Sequence, residues 1–80
     1  MKVTKAIKVE KKNLADIFNL ECVYAITKND NGKPVVNIHS DCTDGRVFAQ
    51  YGEYICQFEN GRWQVFGSIS FDNIIMSGRD

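Results

Sequence analysis

Gly52-Glu53-Tyr54-Ile55-Cys56-Gln57-Phe58-Glu59-Asn60-Gly61-Arg62-Trp63-Gln64-Val65-Phe66 decides the fold, because alternating side chains run up to Asn60-Gly61 and away from it again. That is the pattern of a β-hairpin, and Asn-Gly tolerates the positive φ that a two-residue type I′ turn needs at both positions. The register with Glu59 opposite Arg62 sets Phe58 against Trp63, Cys56 against Val65 and Tyr54 near Gly67 on one apolar face. On the other face Gln57 meets Gln64, and Ile55 meets Phe66 at the hairpin base. A three-residue loop would place Gln57 opposite Trp63 and mix the faces, so the two-residue turn is expected.

Upstream, Asp44-Gly45 supplies a second turn, expected to set Cys42 opposite Val47, Ser40 opposite Ala49 and Ile38 opposite Tyr51. Before it, Cys22 to Lys28 and Pro34 to Ser40 flank Asp30-Asn31-Gly32. A three-residue loop with Gly32 in the left-handed region pairs Ile26 with Val36, Tyr24 with Ile38 and Cys22 with Ser40. One core face then runs through Tyr24, Ile26, Val36, Ile38, Val47, Ala49 and Tyr51. Val23, Val35 and Phe48 lie on the reverse.

At the start of the chain, Val3, Ile7 and Val9 alternate with Lys2, Thr4, Lys8 and Glu10, as in a half-buried edge strand whose lysines discourage stray pairing. Asn13 is placed to cap a helix of two turns at most, with Asp16 three residues on and Leu14, Ile17 and Phe18 sharing a face. So short a helix is unstable alone and must pack on the sheet. Residues 68 to 76 fit a last strand or a short helix equally well, and residues 76 to 80 read as a frayed tail.

The expected fold is α+β and mostly β: a curved antiparallel sheet of about six short strands with one short N-terminal helix, a small barrel being its closed form. Eighty residues form a single domain, 1–80, since a chain of this length buries only about 60 to 65% of its unfolded surface and cannot divide its core. A hydrophobic content of 44% argues against disorder. Ten basic and ten acidic side chains cancel, which removes a chain-wide electrostatic case for nucleic acid. Locally, Lys2, Lys5, Lys8, Lys11 and Lys12 crowd the first twelve residues, a pattern expected of a solvated strand face and helix start, with contact to phosphate as the alternative. Neither a secretory signal nor a membrane span is legible, so a cytoplasmic location is expected. Three cysteines without Cys-x-x-Cys spacing fit reduced thiols better than a disulfide scaffold or a zinc site.

His39-Ser40-Asp41-Cys42 is the stretch that invites a catalytic reading, since a cysteine nucleophile needs an imidazole and an orienting acid. Positions 39 and 42 differ by an odd number, so a continuing strand would project thiol and imidazole to opposite faces. His39, Asp41 and Asp44 would under-supply a closed zinc site, which takes four ligands. Asn29-Asp30-Asn31-Gly32 echoes a calcium loop without its length or terminal glutamate. No phosphate loop, carboxylate pair or serine elbow is present. The expectation is therefore no catalytic, cofactor or metal residues. Tyr54, Phe58 and Trp63 are aligned as if to stack bases, yet on an apolar face they read first as core.

At Gly52-Glu53-Tyr54-Ile55, Asn60-Gly61-Arg62-Trp63 and Phe71, with a weaker echo in the opening Lys-Ile-Lys-Val, the sequence resembles small uncharacterised proteins of tailed phages and of prophages in gut bacteria such as Bacteroides. The likeness covers roughly the last thirty residues, and this chain lacks the proline those proteins carry before the first of these motifs. The resemblance implies a mobile-element or commensal origin and brings no catalytic residues. The reading is a non-enzymatic accessory module that binds a protein partner or itself through Val23, Val35 and Phe48, motivated by more apolar surface on the reverse face than one helix can cover. The alternative is a nucleic-acid-binding barrel that uses Lys2, Lys5, Lys8, Lys11 and Lys12.

Overall fold

The computed structural model describes residues 2–67; the open segment 68–76 and the tail lie outside the described residues. Among the described residues, six strands form two three-stranded antiparallel sheets. The first contains β1 (Val3–Lys8), β5 (Tyr54–Phe58) and β6 (Trp63–Phe66), with β5 in the centre. In the second, β3 (Pro34–Ile38) lies between β2 (Val23–Lys28) and the two-residue β4 (Phe48–Ala49). A 3₁₀ turn, Lys11–Asn13, and a short helix α1 (Leu14–Phe18) link the sheets. The described strands make no closed barrel: the sheets touch through an isolated bridge between Thr43 and Trp63. As expected, β1 is an edge strand and the only helix among the described residues is short.

Between the sheets lies one contiguous core of Val9, Ile17, Cys22, Val23, Val36, Ile38, Ala49, Ile55 and Trp63. Ile7, Leu14, Leu20, Ile26 and Val65 pack against its margin. Full burial of a branched aliphatic side chain is worth about 1.5–3 kcal/mol, and a three-stranded sheet has one apolar face to hide. Each sheet covers the other's.

The hairpin at Asn60-Gly61 departs from expectation by one residue. Phe58 donates its N–H to the Arg62 carbonyl at 2.9 Å, and the ladder pairs Gln57 with Trp63, Cys56 with Gln64, Ile55 with Val65 and Tyr54 with Phe66. A type I′ turn requires positive φ at two successive residues, but here Gly61 has it, at +85°, and Asn60 does not. The result is a three-residue loop, Glu59-Asn60-Gly61, in which the Gly61 N–H reaches the Phe58 carbonyl at 2.8 Å and the Arg62 N–H donates to Asn60 Oδ1 at 3.0 Å. Because side chains alternate, an odd slip reassigns every residue of one strand. Ile55, Trp63 and Val65 turn to the core, while Tyr54, Cys56, Phe58 and Phe66 share the opposite face, where the Phe58 and Phe66 rings meet edge to face at 6.0 Å.

The hairpin at Asp30-Asn31-Gly32 has the expected loop, with Gly32 at φ +76° and pairs from Lys28–Pro34 to Ala25–Asn37. Asn29 Oδ1 holds it by accepting from the N–H groups of Asn31 and Lys33, both at 2.9 Å. Further along, a bulge between Val23 and Ala25 sets Val23 opposite Ile38. The extra residue turns Val23 into the core and Tyr24 outward, to 57% exposure.

Asp44-Gly45 does not close a tight hairpin. Ser40–Cys42 forms a 3₁₀ turn, Asn37 pairs with Phe48, and Ile38 donates to the Val47 carbonyl rather than facing Tyr51. The shift from position 51 to position 47 is even, so Phe48 keeps its reverse-face position and Ala49 its place in the core.

Asn13 occupies the cap position without capping: its Nδ2 reaches back to the Lys8 carbonyl at 2.9 Å. Of the expected helical face, Ile17 is buried, Leu14 is half-buried and Phe18 is 57% exposed.

Gly61→Ala should cost about 1 kcal/mol, because alanine is strained at positive φ, while Asn60→Gly should give no gain, since Asn60 is not held at positive φ. Urea unfolding midpoints of both variants check this; a stabilising Asn60→Gly would restore the two-residue turn.

Candidate functional site

The outer face of the second sheet is built along β3. Lys33, Val35, Asn37 and His39 alternate with the buried Pro34, Val36 and Ile38. Pairing adds Thr27 beside Val35, and Ala25 and Phe48 on either side of Asn37. Val35 and Phe48 are both half-buried and lie on this face. Val23, expected beside them, lies in the core, because the bulge turned it inward. Tyr24 takes the outward position and sets its ring against that of His39, centroids 4.9 Å apart.

The rest of the face is held by cations over rings. Lys33 Nζ lies 4.9 Å from the centre of the Tyr51 ring, and the Arg46 guanidinium 5.3 Å from that of Phe48. Glu53 fixes Arg46 there: its Oε2 pairs with Arg46 Nη2 at 2.6 Å, and its Oε1 accepts the Gln50 N–H at 2.8 Å. At the centre, Asn37 Nδ2 is occupied by Thr27 Oγ1 at 3.2 Å and the Ala25 carbonyl at 3.4 Å. The middle of the face therefore offers apolar area around an Asn37 whose Nδ2 is engaged, and Tyr24 and Tyr51, 57% and 42% exposed, mark its two ends.

The residues that suggested other chemistry are directed elsewhere. His39 meets the Tyr24 ring at a tilt of 40°, whereas Cys42 packs against the core. Asp44 accepts from Arg62 Nη2 at 2.6 Å, and Arg62 Nη1 donates to the Asp41 carbonyl at 2.6 Å, a clasp that ties the 39–46 connection to the start of β6. The Arg62 hydrogen bond holds the Asp44 carboxyl below its ordinary range, and Asp44 in turn raises Arg62. Among the described residues no group of three or more His, Cys, Asp or Glu side chains is placed to hold a metal ion.

Burial pushes the Cys22 thiol up to about 12, with neighbouring Cys42 adding to it, and pushes Cys56 up to about 11. Both thiols stay protonated at neutral pH and are poor nucleophiles.

The N-terminal lysines do not converge. Lys5 and Lys8 point to opposite sides of β1, Lys8 lies 6.0 Å from the centre of the Tyr54 ring, Lys12 pairs with Glu10 at 3.9 Å, and Lys11 faces the β2–β3 hairpin. Of the aromatics aligned in the sequence, Trp63 is buried, while Tyr54 and Phe58 are half-buried on the outer face of the first sheet. Sequence reasoning missed Tyr24, Arg46 and Tyr51 as surface residues of the second sheet: the bulge turns Tyr24 outward, and Arg46 and Tyr51 lie outside the two-residue β4.

No helix among the described residues is long and apolar enough to cross a membrane. No family model, curated protein or solved structure matches this chain.

Two outcomes follow. Iodoacetamide at pH 8 should modify Cys42 in the native protein and reach Cys22 and Cys56 only on unfolding, read by mass spectrometry of peptides; prompt labelling of Cys22 would contradict its burial. The lowered Asp44 makes the folded state bind that proton less readily than the unfolded chain, so the clasp stabilises above about pH 4 and its contribution is lost as pH falls through the folded value. Asp44→Asn should flatten this part of the acid limb in urea unfolding run between about pH 2 and 6.

Proposed function

We propose that this chain is a non-enzymatic binding module that works by associating with protein through the outer face of β2–β3–β4, with a second copy of the chain as its simplest partner. The observation that carries this is the adjacency of half-exposed Val35 and Phe48 on a face with Tyr24, Tyr51 and Arg46 around them. Aromatic and arginine side chains around an apolar centre are what protein interfaces favour. Charge supports a second copy as partner, because ten cationic and ten anionic side chains leave no net repulsion between molecules.

A cytoplasmic, phage-type accessory role is part of the proposal and rests on the resemblance in the Gly52–Trp63 region. The nucleic-acid alternative draws less support. Its lysines are dispersed, and the Tyr51 and Phe48 rings already have cations over them, which leaves less open ring for a base.

Light scattering after size exclusion, with and without mixed oligonucleotides at low salt, tests the proposal. The expected result is a dimer or larger assembly indifferent to oligonucleotide, converted to monomer by Phe48→Glu with the circular dichroism spectrum unchanged. A monomer at about 100 μM, which corresponds to association weaker than about 5.5 kcal/mol, would overturn self-association. An oligonucleotide-dependent shift that salt reverses would transfer the case to the lysines.

A further inference from the structure

We infer that the groove between the start of the helical segment and the β2–β3 hairpin binds a small amphipathic carboxylate, an anionic head on a short aliphatic or aromatic body. The groove has a volume of about 400 Å³, within the range that small-ligand sites occupy. Its apolar wall is Leu14, Ile26 and Pro34; Pro34 is buried, and the other two are half-buried against the core. Exposed Lys11 and Lys28 stand at its rim. At the hairpin end Gly32 borders open space, where an added Cβ would meet nothing within 4 Å.

Charge decides the occupant. Lys12 is engaged by Glu10, Lys8 lies by Tyr54 and Lys33 over Tyr51, but among the described residues the ammonium groups of Lys11 and Lys28 have no hydrogen-bond, ion-pair or ring partner. A bare anion would answer these two cations and leave the apolar wall wet. An uncharged hydrocarbon would cover the wall and leave the cations unanswered. A carboxylate with an apolar body does both, and the lysine stems can lie along that body while their charged ends stay at the rim. Ile26, Lys28 and Pro34 alternate with Val35 and lie on the opposite side of the sheet from Phe48. Thr27 lines the groove from the association face, but the apolar wall and both lysines lie away from Val35 and Phe48, so either site can fail without the other.

The test is titration of the full ¹⁵N-labelled chain with octanoate at low salt, with octanamide and acetate as comparators. The expected result is saturable movement of the Leu14, Lys28 and Gly32 amides with a Kd below about 1 mM and at least about ten-fold weaker binding of both comparators, a difference of roughly 1.4 kcal/mol. The Lys11→Gln, Lys28→Gln double variant should lose octanoate affinity by at least about five-fold while keeping a dispersed spectrum. On the unaltered chain, raising salt to about 0.5 M should weaken octanoate and leave octanamide unchanged. Shifts that do not saturate or that fall elsewhere, equal binding of octanamide, or salt-independent octanoate binding would overturn the inference.

Discussion

Neither three-stranded sheet can hide its apolar face alone, and the structure depends on Ile17, Ile38, Ile55 and Trp63 meeting between them. Small sheets need such a partner layer for independent stability. Once this burial is imposed, the remaining features read as ways of bringing the two inner faces together: α1 carries the chain from one sheet to the other, the Arg62 clasp anchors the 39–46 connection to β6, and the Val9 and Glu53 backbones extend the first ladder past β1 at 2.8 Å. The outer faces differ: on the first sheet Cys56 is fully buried, whereas on the second Tyr24 is 57% exposed and Val35 and Phe48 are half-buried.

How much of this was legible in the sequence depended on parity. The Gly32 loop could be read because one glycine in the left-handed region, helped by Asn29, settles its length locally. The β3–β4 register was misread by an even number, from Tyr51 to Val47 opposite Ile38, so Phe48 stayed outside and Ala49 inside. Val47 and Tyr51, expected in the core but lying beyond the two-residue β4, are exposed. At Asn60-Gly61 the misreading was odd, and Trp63 and Phe58 parted to opposite faces. Asn-Gly permits both a two- and a three-residue loop, and burying Ile55 together with Trp63 and Val65 selects the longer one despite the polar Gln57 it brings alongside Trp63.

The bulge at Tyr24 carried no sequence signal of its own. Val23 and Tyr24 are both good strand residues, and only the demand for a small aliphatic group against Ile38 and Cys22 in the core decides which turns inward. The candidate surface was therefore half legible: Val35 and Phe48 were readable from alternation, whereas Tyr24, Tyr51 and Arg46 needed the folded chain to bring them there. Function in this reading comes from what the fold leaves uncovered after two sheets have satisfied one another.

The most direct test of that claim is a dilution series of ¹⁵N–¹H spectra on the unmodified protein. The account predicts that concentration-dependent shifts concentrate on Ala25, Val35, Asn37 and Phe48 and leave the β1 and β5 amides in place. Spectra that do not change with concentration, or changes centred on β1, would contradict it.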